Sequence, residues 1–210
     1  MVRALGETRI EIARMTHSTL ASIPSIDTMI AVREAVGARA AQSTTVACLR
    51  RMAFAQTFRD MGHTAKDETI DHVSDFFLGR RYEMCRPYIE TVPTLSALRD
   101  SYGIALLTNG NSHPDKIGLS GLFDQVFFAE ELGARKPDPI VFAHVAAALG
   151  SHYCISVGDS LANDVIGPQR AGWRAIWINR ALDPLPEGVQ PDGELRTLEG
   201  LDVLVHRLVG

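Results

Sequence analysis

The chain has 210 residues, of which 46% are hydrophobic and 22% charged, a composition typical of a globular protein with a large apolar core. Its formal net charge of −4 gives no general attraction to nucleic acid or to an anionic membrane, so neither is expected as a partner. No apolar run is long enough to span a membrane, and the three cysteines lack the close spacing of zinc or redox motifs. We therefore expect a reducing, cytoplasmic location.

Residues 1–88 carry apolar side chains at helical spacing, and this region is predicted to be helical throughout. The predicted helices lie near residues 5–21, 27–40, 44–60 and 65–85. Thr64, with Asp67 three residues later, resembles a capping box that opens the fourth helix. Residues 1–88 are therefore expected to form a separate helical region.

Residues 89–210 show a different pattern, in which short apolar runs alternate with helical stretches, as is typical of βα units. The predicted strands lie at 104–107, 125–129, 153–157 and 174–178. Helices are predicted near 93–99, 139–149, 163–171 and 200–208, and a polar, proline-rich loop near 183–192. The predicted fold class is α/β, with a doubly wound parallel, Rossmann-like sheet at 89–210.

Polar residues follow three of these strands, at the edge where parallel α/β sheets bind ligands. Thr108-Asn109-Gly110 offers a hydroxyl, an amide and a backbone that an anion can approach closely. Lys136 follows the second strand, directly before Pro137. Each feature also has an ordinary explanation, since polar turns are common and most lysines are solvated surface charges.

The third strand end is the most specific of the three. Asp159 lies where the strand stops, and Asp164 lies on the first turn of the following helix. Their carboxylates can converge on one hard cation, although Asp164 could also be a helix-start residue favoured by the helix dipole. The seven histidines, in contrast, show no spacing typical of metal ligands.

Taken in order, Thr-Asn-Gly, Lys-Pro and Gly-Asp-Ser with a second aspartate resemble the second, third and fourth motifs of the haloacid dehalogenase superfamily, specifically its Mg²⁺-dependent phosphatases. The resemblance implies a helical cap at residues 1–88, an α/β core at residues 89–210 and a small phosphorylated metabolite as substrate. It implies catalytic roles for Lys136 and Thr108 and Mg²⁺ as cofactor. The implied phosphate ligands are Thr108, Asn109, Gly110 and Lys136, and the implied metal ligands are Asp159 and Asp164.

One family feature is missing from this sequence. Family members begin with an apolar strand followed by Asp-x-Asp, whose first aspartate attacks phosphorus, and nothing before Ile104 fits that pattern. Asp192-Gly193-Glu194-Leu195 resembles the motif only superficially, because it follows a polar loop. We expect the chain as written to lack the first strand, which in the family lies between the strands ending at Thr108 and Asp159, and to be impaired or inactive.

Three explanations stay open at this stage. The first is a phosphatase truncated by a start codon assigned too late or by loss of the 5′ end of its gene. The second is a non-catalytic descendant that binds Mg²⁺ or a phosphorylated ligand, and the third is an unrelated doubly wound domain. The DNA sequence upstream of Met1 would discriminate best among them.

Overall fold

The computed structural model describes residues 1–41, 44–151 and 153–210, so His152, one of the seven histidines, lies outside the described residues. The chain separates into two compact units. The helical unit comprises residues 1–86 and 111–117, and the α/β unit comprises residues 87–110 and 118–210. Among the described residues, no helix is both long enough and apolar enough to cross a membrane.

The helical unit contains four α-helices that bury one shared apolar core. They are α1 (Val2–Met15), α2 (Ile26–Arg39), α3 (Val46–Asp60) and α4 (Asp67–Met84), with short 3₁₀ turns at Leu20–Ser22 and Pro114–Ile117. Ser25 and Thr45 cap α2 and α3, since each hydroxyl accepts a hydrogen bond from a backbone N–H three residues later, at 3.1 Å. Residues from all four helices form the core, among them Ile12, Met29, Phe54, Phe58, Val73 and Phe77.

Two predictions for this unit were wrong. The first helix ends at Met15 rather than near residue 21, because His17 takes a left-handed conformation with φ 49°. The side chain of Arg9 then donates to three carbonyls between residues 20 and 24, which holds this segment outside the helix. At α4 there is no capping box: Lys66 is the N-cap residue and no side chain caps the helix.

The α/β unit contains short parallel strands connected by helices, which confirms the predicted fold class. Its elements in chain order are α5 (Thr91–Arg99), β1 (Ala105–Thr108), β2 (Gln125–Phe128), a 3₁₀ turn (Ala129–Leu132), α6 (Pro139–Leu149), β3 (Ile155–Gly158), a π-helical turn (Leu161–Ile166), α7 (Gly167–Arg170), β4 (Arg174–Ile178), β5 (Gly193–Leu195) and α8 (Leu201–Val209). The helix predicted near 163–171 is therefore a π-helical turn followed by one short α-helix.

The strands form two hydrogen-bonded groups, β1-β2 and β3-β4-β5, in which every pair is parallel. In the described part of the chain, no ladder joins β1 to β3, so each has one unpaired edge. The strand that the resemblance places between them stays a prediction. β4 is the most deeply buried strand: Ile176 and Ile178 pack with Leu201 and Leu204 of α8.

β5 was not predicted, because residues 193–195 follow a polar stretch and alternate too briefly to indicate a strand. These residues form a strand because they pair with β4. Gly193 allows it to lie close to α8, since a Cβ there would be 2.6 Å from the side chain of Leu204. Directly before the strand, Asp192 accepts hydrogen bonds from Arg174 at 2.6 Å and from the N–H of Ala175 at 2.8 Å.

Candidate active site at the carboxyl ends of the strands

An ion pair lies at the centre of the candidate site. The Nζ of Lys136 donates to Oδ1 of Asp164 at 2.6 Å, and the two side chains are only 14% and 10% exposed. Because water screens such a pair poorly, each charge depends strongly on its partner. The structure thus brings together the predicted lysine and the second of the two predicted aspartates.

The turn after β3 holds Asp164 in place. The N–H of Ser160 donates to Oδ2 of Asp164 at 3.1 Å, and the N–H of Asp164 donates back to the carbonyl of Ser160 at 2.7 Å. The hydroxyl of Ser160 also accepts from the N–H of Asn163 at 3.3 Å, which caps the π-helical turn. Both carboxylate oxygens of Asp164 therefore have donors, and the side chain is fixed in orientation.

The sequence prediction missed the structural roles of Gly158 and Ser160. A Cβ on Gly158 would lie 2.4 Å from Oδ2 and Cγ of Asp164, so only glycine permits this approach. The available signal was the Gly-Asp-Ser triplet, in which small residues flank Asp159. The triplet shows a tight turn, but it does not show which side chain the turn must accommodate.

Asn109 positions the main chain of Lys136. The N–H of Lys136 donates to Oδ1 of Asn109 at 2.8 Å, and Nδ2 of Asn109 donates to the carbonyl of Lys136 at 2.9 Å. These two bonds connect the end of β1 to the loop that follows β2. The Asn109 amide that the resemblance implies as a phosphate ligand is thus held by protein through its Oδ1 and one Nδ2 hydrogen, which leaves the second Nδ2 hydrogen as its side-chain donor for an anion.

Thr108 and Gly110 lie beside this clamp. The hydroxyl oxygen of Thr108 accepts a hydrogen bond from the N–H of Gly110 at 2.9 Å. Since a hydroxyl has one hydrogen of its own, Thr108 keeps a donor for an anion, whereas the N–H of Gly110 is already used.

Asp159 is exposed, and its main chain is anchored by the Nε1–H of Trp177, which donates to its carbonyl at 3.0 Å. Asp164 contacts the residues on both sides of Asp159, so the two carboxylates belong to one strand end. Within the described ranges, no three His, Cys, Asp or Glu side chains are grouped to hold a metal. Two carboxylates without nitrogen or sulfur ligands suit Mg²⁺, which retains several waters, and do not suit zinc.

The sequence profile of the haloacid dehalogenase-like hydrolases matches residues 3–172, which is most of the chain and includes all six predicted site residues. The chain belongs to this family. Within it, phosphatases are among the similar proteins. The chain is 28% identical over 141 residues to a pyrimidine 5′-nucleotidase of Escherichia coli, and 32% identical over 157 residues to a phosphoserine phosphatase of Thermus thermophilus. These matches include 63% and 70% of this chain.

The same matches cover 63% and 62% of the two relatives, so this family member spans about three fifths of their length.

A 2-haloacid dehalogenase from Pseudomonas syringae has a similar structure, with a TM-score of 0.81 and 25% identity over 98% of this chain and 90% of that one. YfnB of Bacillus subtilis, crystallised with magnesium, has a TM-score of 0.68 over 97% of this chain and 92% of its own, at 20% identity.

Proposed function

We propose that the strand-end site binds a small phosphorylated metabolite together with Mg²⁺ and belongs to a phosphatase. The observation that carries this proposal is the buried ammonium of Lys136, held against Asp164 and fixed through its own main chain by Asn109. An ammonium is a compact charge well suited to phosphate.

The described residues supply three functions of a phosphoryl-transfer site. Lys136 neutralises charge on the phosphoryl oxygens, and the Thr108 hydroxyl donates a hydrogen bond to one of them. Asp159 and Asp164 would hold Mg²⁺, which would neutralise phosphate charge and orient the substrate. Because Lys136 already binds Oδ1 of Asp164, the exposed Asp159 would provide the main ligand.

The nucleophile of the family route would come from outside the described site. No Asp-x-Asp follows any strand of the described chain, and the first strand that the resemblance implies between β1 and β3 stays a prediction. We therefore propose that the chain as given binds phosphate without turning over substrate. Dehalogenases of the family need no metal, so the paired aspartates favour phosphate transfer over carbon–halogen cleavage.

Binding and turnover should be measured separately, because the proposal separates them. Calorimetry would follow inorganic phosphate binding with and without Mg²⁺ to the wild type and to the Asp159→Asn and Lys136→Met variants. Lys116→Met is the matched control, since Lys116 is an exposed lysine of the helical unit whose Nζ lies 5.2 Å from the Tyr82 ring centroid. Release of phosphate from p-nitrophenyl phosphate, phosphoserine and a pyrimidine nucleotide would be assayed with the same proteins.

We expect Mg²⁺-dependent phosphate binding in the wild type and in Lys116→Met, and its loss in the other two variants. Hydrolysis should stay at background. Equal binding by all four proteins would overturn the site. Turnover that disappears in Asp159→Asn would keep the site but show that another residue acts as nucleophile. If a longer gene product that carries an Asp-x-Asp strand also binds without hydrolysis, the chain is a binding or regulatory protein instead.

The proposed location is the reducing cytoplasm. All three cysteines are free, and Cys48 is exposed, as expected where disulfides do not form. We propose no nucleic-acid or membrane partner, since the net charge of −4 attracts neither.

A further inference from the structure

Three neighbouring helices of the helical unit each carry one arginine of an electrostatically linked group, in which the outer two act on the middle one. These are Arg33 on α2, Arg50 on α3 and Arg81 on α4, and α3 packs against both of the other helices. The Nη2 atom of Arg50 is fully buried and has no hydrogen-bond partner. A buried guanidinium nitrogen without an acceptor is unusual, because its N–H donors have given up water and received nothing in return.

The charges around Arg50 are mostly of the same sign. Burial lowers the pKa of the Arg50 guanidinium, and the positive charges of Arg81 and Arg33 lower it further. Asp75 and the phenol of Tyr82 act in the opposite direction, but Asp75 is exposed. The charges that act on Arg50 are therefore two cations, the partly buried Arg81 and the exposed Arg33, and one exposed carboxylate.

Adjacent arginines on the same helices do have carboxylate partners. Arg51, the next residue of α3, pairs with Asp67 and Asp71, and Arg80 of α4 pairs with Glu7 and Glu83. Among the described residues, no such ion pair includes Arg50 or Arg81. Acidic side chains thus pair with Arg51 and Arg80, whereas Arg50 and Arg81, which are also partly buried, have no such partner among the described residues.

We propose that Arg50, together with Arg33 and Arg81, forms a second anion site, which binds an oxyanion such as a phosphate or a carboxylate. An oxyanion would accept the unused hydrogen bonds of Arg50 and would neutralise the repulsion among the three cations. The site lies within the helical unit, and it depends neither on Mg²⁺ nor on the residues at the strand ends.

Calorimetry without Mg²⁺, at ionic strength held constant with KCl, would test this proposal with two probes. Inorganic phosphate and malonate distinguish a preference for phosphoryl groups from one for carboxylates. Arg50→Met removes the charge while keeping most of the side-chain volume. Arg59→Met is the matched control, because Arg59 is an exposed arginine of the same helix whose guanidinium donates to the side chain of Gln56.

We expect the wild type and Arg59→Met to bind one of the two probes with equal affinity, and Arg50→Met to bind it at least about 10-fold more weakly, as loss of a charge-assisted hydrogen bond implies. Lys136→Met should bind like the wild type. Absence of binding of both probes by the wild type, or equal binding by Arg50→Met, would overturn the second site. If only Lys136→Met loses binding, the anion occupies the strand-end site, so the second site is wrong while the proposed function stands.

Should Arg50→Met fail to fold, Arg81→Met applies the same criterion at a half-buried position of α4. Thermal unfolding supplies an independent readout. Without added anion, Arg50→Met should have a Tm at or above that of the wild type, because it removes a repelled, unpartnered charge. A clearly lower Tm would show that Arg50 already has a partner within the chain and would contradict the proposal.

Discussion

Each of the two units contains a partly buried cation, and the two cations differ in whether they have a partner. In the α/β unit, Lys136 is paired with Asp164 at 2.6 Å and its main chain is held by Asn109. In the helical unit, Arg50 has a buried Nη2 atom without a partner and two arginines nearby. Removing one partner of a buried ion pair is strongly destabilising, and a buried charge without a partner costs stability until a ligand supplies the missing charge. One unit thus holds a cation whose counter-charge lies in the same unit, and the other holds a cation with a buried nitrogen that has no acceptor among the described residues.

Removal of the partner of Lys136 should produce the largest effect on stability. Asp164→Ala leaves a poorly solvated ammonium unpaired and the N–H of Ser160 without its acceptor, so we expect a loss of about 3 kcal/mol in the free energy of unfolding. Urea denaturation would measure it. The control is Asp67→Ala, which breaks a 3.6 Å pair whose carboxylate is 86% exposed, and it should cost less than about 1 kcal/mol. Similar losses of unfolding free energy in the two variants would show that the Lys136–Asp164 pair matters no more than an exposed ion pair.

Crowding the ion pair without touching its charges should have a smaller effect. Gly158→Ala places a Cβ against the carboxylate and Cβ of Asp164, so the side chain must move away from Lys136, at a cost of about 2 kcal/mol. The same substitution at Gly37 of α2 meets no atom within 4 Å and should stabilise the helix by about 0.5–1 kcal/mol. A lower Tm for Gly158→Ala together with a higher Tm for Gly37→Ala would confirm that Gly158 lies close to the side chain of Asp164. A neutral Gly158→Ala would show that the turn has room to adjust.

A fully partnered cluster within the helical unit sharpens the comparison with Arg50. Glu11 accepts hydrogen bonds from Arg14 at 2.7 Å and from His72 at 2.8 Å, and these lower its pKa from 4.5 to about 2, with Arg14 the larger cause. The stabilisation is therefore complete above pH 4.5 and is lost as the pH falls toward 2. Because Arg14 and His72 are at least half exposed, we expect the loss to be only about 1 kcal/mol.

The pH dependence of the unfolding midpoint would measure this loss in the wild type and in Glu11→Gln. The variant should show a shallower decline between pH 4.5 and 2, because its amide does not titrate. Parallel curves for the two proteins would mean that Glu11 is not held in its charged form by these partners.

The sequence was most informative where a pattern is local. Strand β4 and helix α6 were predicted with their observed limits, because an apolar run and a proline-to-glycine helical segment are each contained in a dozen residues or fewer. The first helix was predicted too long because its end depends on Arg9, which binds carbonyls more than ten residues away. β5 was missed for a related reason, since only its pairing with β4 defines it.

The candidate site also combines features that local sequence patterns predict with features that depend on contacts between distant residues. Composition and periodicity predicted the α/β class, and the resemblance carried by the residues after three strands implied the family and its candidate site residues. Only the tertiary structure decided that Lys136 pairs with Asp164, that the Asn109 amide clamps a main chain, and that Gly158 must lack a side chain. Asn109 and Asp164 lie 27 and 28 positions from Lys136, on either side of it along the chain. Crossover connections between parallel strands bring residues so far apart in the chain into contact, so a local sequence pattern cannot show these partners.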